Sequence, residues 1–295
     1  MANVFEHASK YANELDKMIV QESKTGFMAD GKFKAKFKGA KIVNIPQIDF
    51  DGLGPYTREG GYSKGGTNFN YKSYELTKER SKQLIIDAQD ADETGVSSLT
   101  GKIVGEYTRT KVNPEIDAYV LSKLYGIASE KGNVETFVED NAVELMLETI
   151  NKAEAASGYT NEQMVAFVDP AMYAALMTSE KLQHSITVSD FEQGAIDLKV
   201  KTLNGCAIIP VATDRMKTEY TFTETGFEAV DDAGCIKAIV LPKSAASLVK
   251  KVDKVDIYTP DMVQDMDAYK INFRLYYDCF VMDNKKGLVF AISGE

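Results

Sequence analysis

The stretch that decides the fold is residues 52–67, with the sequence Gly-Leu-Gly-Pro-Tyr-Thr-Arg-Glu-Gly-Gly-Tyr-Ser-Lys-Gly-Gly-Thr. Six of these sixteen residues are glycine, which predicts a loop tip rather than a helix or strand. Residues 41–50, just before it, are rich in β-branched and aromatic side chains and predict a strand. Pro46 predicts that this strand lies at a sheet edge, because proline cannot donate a hydrogen bond to a neighbouring strand.

The segment after the loop predicts a second pair of strands, at 69–76 and 83–87. Residues 40–87 are therefore expected to form a long two-stranded projection with a glycine-rich end. Because an isolated hairpin is only marginally stable in water, this projection should need a partner.

Three segments of the sequence predict helices, one before the hairpin and two after it. Apolar residues at three- and four-residue steps within 1–19 predict an amphipathic helix, followed by a basic alternating segment at 32–38. Asn113-Pro114-Glu115 predicts a helix start with asparagine as the N-cap, and Gly132 predicts its end. Thr136 to Glu139 matches a capping box, which predicts another helix through residue 153.

The remainder mixes strands and helices. A strand is expected at 164–168, a helix from 169, and a strand at 207–211. Apolar and polar residues alternate over 269–279, which predicts a long half-buried strand, and residues 283–287 predict a turn into a last strand at 288–292. The fold class expected from these patterns is α+β.

The composition narrows the possible functions. The net charge is −10, from 34 Lys and Arg against 44 Asp and Glu, which argues against a protein built mainly to grip nucleic acid. Three widely spaced cysteines, Cys206, Cys235 and Cys279, predict free thiols in a reducing compartment. No signal peptide or membrane-length apolar stretch is present, so we expect a soluble protein made in a cytoplasm.

Enzyme motifs are present only as imperfect matches. Gly61-Tyr62-Ser63-Lys64-Gly65 matches a nucleophile elbow, with His184 as the available base, but a strand rather than a helix is expected to follow it. A phosphate-loop match at 95–102 has the wrong spacing, and the acids at 87–93 lack a calcium-loop pattern. We therefore expect no catalysis, cofactor or metal.

Four short sequence segments, in this order along the chain, are typical of one protein family. They are Leu-Thr-Lys-Glu-Arg at 76–80, Ile-Asp-Ala-Gln-Asp-Ala-Asp-Glu-Thr at 86–94, Val-Asn-Pro-Glu-Ile-Asp-Ala-Tyr at 112–119, and residues 267–278. Together with the arm, hairpin and closing strand, they resemble the major capsid proteins of tailed bacteriophages, which have the Hong Kong 97-type fold. The resemblance spans nearly the whole chain and is weakest over 158–235.

The resemblance implies a division of the chain. It makes 1–38 an N-terminal arm and 39–90 an extended β-hairpin loop over a neighbouring subunit. It makes 91–135 with 251–285 a peripheral domain containing the spine helix, and 136–250 with 286–295 a mixed α/β axial domain.

The same resemblance implies a non-catalytic coat protein that self-assembles, as hexamers and pentamers, into an icosahedral shell around phage double-stranded DNA without sequence-specific binding. It implies a virion location, assembly in the host bacterial cytoplasm, and a portal. Because the arm begins almost at residue 1, it also implies a separate scaffolding protein, or none. No membrane partner is expected. The candidate intersubunit contacts are Arg58, Tyr62, Lys64, Arg80, Glu115 and Arg274.

Two alternatives stay open at this point. One is an encapsulin-like compartment with the same fold and an enzyme cargo. The other is a serine hydrolase that uses Ser63 and His184.

The hydrolase alternative generates a direct test. We expect Ser63→Ala to leave every biochemical property of the protein nearly unchanged, because the neighbouring glycines predict a loop and not an elbow. The measurement is turnover of activated esters and labelling by a serine-reactive phosphonate. An activity present in the parent chain and lost in the variant would contradict the prediction.

Overall fold

The computed structural model describes residues 23–29, 36–38, 42–56, 58, 62, 65–89, 100–138, 141–178, 186–193 and 196–294. The fold is α+β, as expected, with helices packed on several separate sheets. The predicted arm helix at 1–19 lies outside the described residues.

The helices are α1 (Thr100–Tyr107), α2 (Asn113–Glu130), α3 (Ala142–Ser157) and α4 (Pro170–Thr178), with a π-helical segment, Thr108–Val112, between α1 and α2. The strands are β1 (Lys36–Lys38), β2 (Ile42–Phe50), β3 (Thr67–Glu75), β4 (Lys78–Asp87), β5 (Val134–Thr136), β6 (Met164–Val168), β7 (Ile186–Gln193), β8 (Ile196–Leu203), β9 (Cys206–Pro210), β10 (Tyr220–Thr223), β11 (Gly226–Ala229), β12 (Ile236–Pro242), β13 (Ala246–Tyr258), β14 (Ala268–Val281) and β15 (Phe290–Ser293).

The predicted hairpin is present, but it is shorter than expected. Strands β2 and β3 pair antiparallel from Ile42 opposite Glu75 to Phe50 opposite Thr67. The expected pairing of 69–76 with 83–87 is wrong, because β4 leaves the hairpin and pairs with β14, nearly two hundred residues along the chain. The projection therefore ends at residue 75.

The expected edge position of β2 is wrong for part of its length. The short strand β1 pairs with Ile42 to Asn44 and makes β2 the middle strand of a three-stranded sheet there. Beyond Asn44 that side of β2 has no partner strand among the described residues. Pro46 lies in this unpaired part, where its missing N–H costs no ladder bond.

The helix α2 begins at Asn113, as predicted, but Asn113 is not its N-cap, because Val112 precedes the helix and no side chain caps it. The chain is already helical from Thr100, and the backbone N–H of Asn113 donates to the carbonyl of Thr108, closing a π-type turn. This wider turn accommodates Pro114, which has no N–H to donate to the preceding turn. We refer to α2 as the spine helix. It ends at Gly132, as predicted, where φ is +70° and the N–H of Asn133 donates to Ala128.

The spine helix packs between two sheets. On one side lies the sheet β13–β14–β4, whose central strand β14 matches the strand predicted at 269–279. The expected alternation holds only in the first half of β14, since every residue from Tyr276 to Val281 is buried. Both faces of the strand are covered there, by the spine helix and by the base of the hairpin.

On the other side lies a seven-stranded sheet in the order β5-β15-β12-β6-β9-β8-β7. The helix α3 packs on it through Ala142, Met146, Ile150 and Ala153, the stripe expected from the sequence. The predicted capping box is wrong, because Thr136 ends the strand β5, which pairs parallel with β15. The helix begins at Ala142 instead, after Asn141.

Two buried carboxylates connect these units. Asp278 on β14, fully buried, accepts hydrogen bonds from the Thr77 backbone N–H (3.0 Å) and hydroxyl (2.9 Å) and from the Tyr119 hydroxyl (2.7 Å). Lys123 Nζ lies 2.5 Å from the same carboxylate. One side chain thereby joins the strand, the spine helix and the connection between β3 and β4.

Asp117, on the spine helix, is the second buried carboxylate. Its carboxylate, also fully buried, accepts hydrogen bonds from the Ser23 and Thr25 hydroxyls at 2.6 Å and 2.7 Å, and Arg215 Nη1 lies 3.2 Å away. The segment 23–29 is therefore held against the spine helix by a charged group.

The Asp278 network predicts a stability effect. Asp278→Ala leaves the Lys123 amine and the two hydroxyls without their acceptor, and should lower the free energy of unfolding by about 3 kcal/mol. The measurement is urea unfolding followed by circular dichroism. Asp265→Ala is the control, because the Asp265–Lys270 ion pair is solvent-exposed on its acidic side and should leave stability unchanged within error. Equal stability of the two variants would contradict the prediction.

Candidate assembly surfaces

The register of the β2–β3 hairpin sorts its residues onto two faces. Side chains alternate along a strand, so Phe69 and Tyr71 lie on the same face as Phe50. All three aromatic side chains are exposed, by 69% for Phe50, 52% for Phe69 and 51% for Tyr71. The rings of Phe69 and Tyr71 touch edge to face at 5.2 Å. We call the face that carries these three rings the aromatic face.

The opposite face differs along its length. Far from the base it carries Asn68 and Asn70, both exposed polar residues. Near the base, Val43 is fully buried and Tyr74 packs on Phe280 with ring centroids 5.1 Å apart. The hairpin is thus packed on its own subunit only at its base.

Polar contacts hold the base in place. Lys72 forms an ion pair with Asp283 in the turn after β14, and the Ser73 hydroxyl donates to Asn44 Oδ1 at 2.8 Å. At the far end, the Gly66 N–H donates to Asp51 Oδ2 at 2.6 Å, which closes the loop between the strands. These contacts define a hairpin with a fixed root and an exposed end.

The tip of the hairpin contains two of the six candidate contact residues. Arg58 is exposed, and Tyr62 is 89% exposed with its ring 5.3 Å from that of Tyr56. Leu53 beside them is fully exposed. Lys64 lies outside the described residues. The exposed apolar surface therefore continues from the aromatic face onto the tip.

The other candidate contacts form ion pairs inside the subunit. Arg80 Nε lies 2.6 Å from Glu115 Oε1, and Arg80 Nη2 also donates to the backbone carbonyls of Thr223 (2.7 Å) and Gly226 (3.2 Å). This arginine connects β4, the spine helix and the β10–β11 turn. Arg274 pairs with Glu79 at 2.6 Å on an exposed part of the β14–β4 sheet. Contacts of these three residues with another subunit stay a prediction.

A cation on β4 also contacts this turn. Lys78 Nζ lies 3.7 Å from the centre of the Phe222 ring, and burial lowers the pKa of this amine. The sequence analysis did not identify these contacts, since a lysine and a phenylalanine 144 positions apart show no local pattern. Their effect is to place the β10–β11 hairpin against the spine helix.

An open cleft of about 760 Å³ lies between the π segment, β4 and the β10–β11 turn. Its wall contains five basic residues and four acidic residues, and Arg80 and Glu115 already pair with each other there. The near balance of charge gives the cleft no preference for an anion or a cation.

Within the described part of the chain, no three His, Cys, Asp or Glu side chains gather as a metal site would require, and no helix has the length and apolarity to cross a membrane. The proposed hydrolase pair, Ser63 and His184, lies outside the described residues.

The cysteines are all free, as predicted. Cys206 and Cys279 are buried, and burial raises the pKa of each thiol to about 12. Cys235 is partly exposed and its Sγ accepts a hydrogen bond from Lys217 Nζ at 2.9 Å.

Comparison with solved structures identifies the fold. The chain is similar to a structure from Gordonia phage Cozz, with 12% identity and a TM-score of 0.61 over 93% of this chain and 87% of that one. It is similar to the mature capsid of bacteriophage PhiM1, with 13% identity and a TM-score of 0.58 over 87% and 83%. It also matches the virus-like particle from Pyrococcus furiosus, with 10% identity and a TM-score of 0.51 over 98% and 100%.

No protein-family model and no curated protein matches the sequence. The structural likeness covers nearly the full length of each chain, and it defines the class: the protein has the Hong Kong 97-type capsid fold. The α+β fold expected from the resemblance in the sequence is therefore confirmed.

The different environments of the cysteines predict selective reactivity. In the folded, freshly reduced chain, only Cys235 should react rapidly with a maleimide at pH 7, because the thiolate is the nucleophile and the raised pKa values keep Cys206 and Cys279 protonated. Mass spectrometry should show one rapid addition per chain, and Cys235→Ser should abolish it. Rapid labelling of Cys206 or Cys279 would show that these sites are open to solvent.

Proposed function

We propose that copies of this chain assemble into a closed shell, with the hairpin of each subunit lying on a neighbouring subunit. The observation that supports this most strongly is the aromatic face. It presents three exposed aromatic rings on a rooted hairpin, and none of the described residues of the same subunit covers them. Exposed apolar surface of this kind marks a site of association between proteins.

Repetition of the same contact throughout the shell explains why the protein keeps an exposed aromatic face. Each fully buried aromatic side chain contributes about 2–3 kcal/mol through the area it removes from water. In a shell the same contact repeats in every subunit through a head-to-tail interface, so a modest gain per copy becomes a large gain per particle. On a protein that stays monomeric, the same exposed aromatic face would promote aggregation.

The assignment of parts follows the fold. We propose that 1–38 is an arm and 39–90 an extended loop. Within the loop, the β2–β3 hairpin is the part proposed to act between subunits, because β4 pairs with β14 of its own subunit. Within the arm, segment 23–29 is held to the spine helix of its own subunit. We propose that 91–135 with 251–285 form a peripheral domain around the spine helix. Residues 136–250 with 286–295 would form an axial domain that meets its symmetry mates at the centres of hexamers and pentamers.

The proposed content of the shell is phage double-stranded DNA. Two of the compared structures are named as phage structures, and the net charge of −10 suits a container that must not adhere to its cargo. The compartment with an enzyme cargo is the second candidate, supported by the likeness to the virus-like particle. Nuclease-protected DNA in particles from producing cells supports the first, and a co-purifying protein cargo without DNA supports the second.

The proposed role is structural, without catalysis. The shell would be part of the virion and would assemble in the host bacterial cytoplasm, with a portal and a separate scaffolding protein as partners. Expression of the chain with and without its genomic neighbours, followed by electron microscopy, identifies which partners closure needs.

The aromatic face supplies the sharpest test of assembly. We expect the double variant Phe69→Ser, Tyr71→Ser to fold normally and fail to form stable shells, because both rings are exposed in the subunit and buried only in the lattice. Sedimentation velocity should show monomers or open capsomers, while the circular dichroism spectrum matches that of the parent chain.

The matched control uses the opposite face of the same strand. Asn68→Ser, Asn70→Ser changes two exposed neighbours, keeps the same strand pairing and should leave shells intact. Normal shells from the aromatic variant would overturn the proposed role of this face. Loss of shells in both variants would indicate that any change to the strand prevents assembly.

A further inference from the structure

Lys217 and Cys235 face each other across a short antiparallel bridge. The flanking hydrogen bonds run from the Thr218 N–H to the Gly234 carbonyl (3.0 Å) and from the Ile236 N–H to the Met216 carbonyl (2.8 Å). This pattern makes 217 and 235 a non-hydrogen-bonded pair, the kind in which facing side chains approach most closely.

The two reactive atoms of this pair are in contact. Lys217 Nζ lies 2.9 Å from Cys235 Sγ, a close approach for a nitrogen and a sulfur atom. Among the described residues, Lys217 forms no ion pair with a carboxylate that would draw its amine away. Both side chains are partly exposed, so a small oxidant can reach them, in contrast to the buried Cys206 and Cys279.

The surroundings hold this arrangement. The Gly294 N–H donates to the Cys235 carbonyl at 2.7 Å, which ties the cysteine to the strand end after β15. A Cβ at position 294 would come within 2.8 Å of Lys237 Cε and would lie 3.4 and 3.5 Å from the carbonyl oxygen and Cβ of Cys235, so the glycine lies directly against both residues. The thiol is therefore fixed opposite the amine.

We propose that Lys217 and Cys235 form a covalent cross-link through one oxygen atom, Nζ–O–Sγ, when the protein meets dioxygen. The thiol, the neutral amine and one molecule of dioxygen give the bridge and one molecule of water. The S–H bond and one N–H bond break, the S–O and O–N bonds form, and dioxygen is the oxidant. Excess thiol reverses the step: four thiol groups become two disulfides and restore the free pair with one water.

The cross-link would close a loop around β10 and β11. The turn of this hairpin receives the Arg80 guanidinium at Thr223 and Gly226, and Arg80 pairs with Glu115 on the spine helix. The loop ends at Cys235, immediately before β12 of the seven-stranded sheet. The benefit to a shell rests on the proposed function: a particle that leaves a reducing cytoplasm would gain a staple in each subunit. The chemistry itself needs only the folded subunit.

The test is peptide mapping by mass spectrometry on the full chain, reduced under argon and then divided between argon and air-saturated buffer. We expect air to join the peptides containing Lys217 and Cys235, with a gain of one oxygen and a loss of two hydrogen atoms. Excess thiol should separate them. Because unassembled chain is sufficient, failure of the shell proposal would leave this result unchanged.

Three variants complete the experiment. Lys217→Arg keeps the positive charge but removes the amine, and Cys235→Ser removes the thiol, so both should abolish the cross-link. Lys237→Arg, two residues along the same strand, should retain it. Separate peptides after exposure to air, or a directly bonded N–S product without the oxygen, would overturn the proposal.

Discussion

The buried carboxylate of Asp278 is the interaction on which the rest of the structure depends. A charge with no exposure to water is stable only when donors surround it, and here the donors come from three elements. Lys123 and Tyr119 belong to the spine helix, and Thr77 belongs to the two-residue connection between β3 and β4. The end of the hairpin that joins the core is therefore fixed at Thr77 by its hydrogen bonds to Asp278. Asp117 holds segment 23–29, which lies within the proposed arm, to the same helix.

This arrangement places the packed core of the subunit at its centre and leaves the outer part of the hairpin exposed, where we propose contacts with other copies. The long strand β14 is buried on both faces where it meets the spine helix, whereas the outer part of the hairpin has little packing of its own. A hairpin with a rigid root and an uncovered apolar face is suited to reach a neighbour in a defined direction.

Local patterns in the sequence predicted where strands, helices and loops occur better than which strands pair with each other. Alternation identified β14, and glycine content identified the loop, because both signals depend on adjacent residues. The pairing of β4 with β14 had no such signal, since it joins residues nearly two hundred positions apart. The buried position of Asp278 was also hidden, because a polar residue in an alternating strand predicts a solvent-facing side chain.

The same limit applies to the assembly surface. The sequence predicted an exposed tip with Arg58 and Tyr62, and the structure places both there. The aromatic face needed the register, because only the pairing of β2 with β3 shows that Phe50, Phe69 and Tyr71 share one side. Arg80 and Glu115 form an ion pair within the subunit that a single sequence does not show, and their contact with another subunit stays a prediction.

Cryo-electron microscopy of particles formed by the full chain tests the central claim most directly. The account predicts closed icosahedral shells in which density for Phe69 and Tyr71 lies against a neighbouring subunit, while Val43 and Tyr74 remain packed on their own subunit. Closed shells in which both rings face solvent, or a chain that stays monomeric with all its partners present, would contradict it.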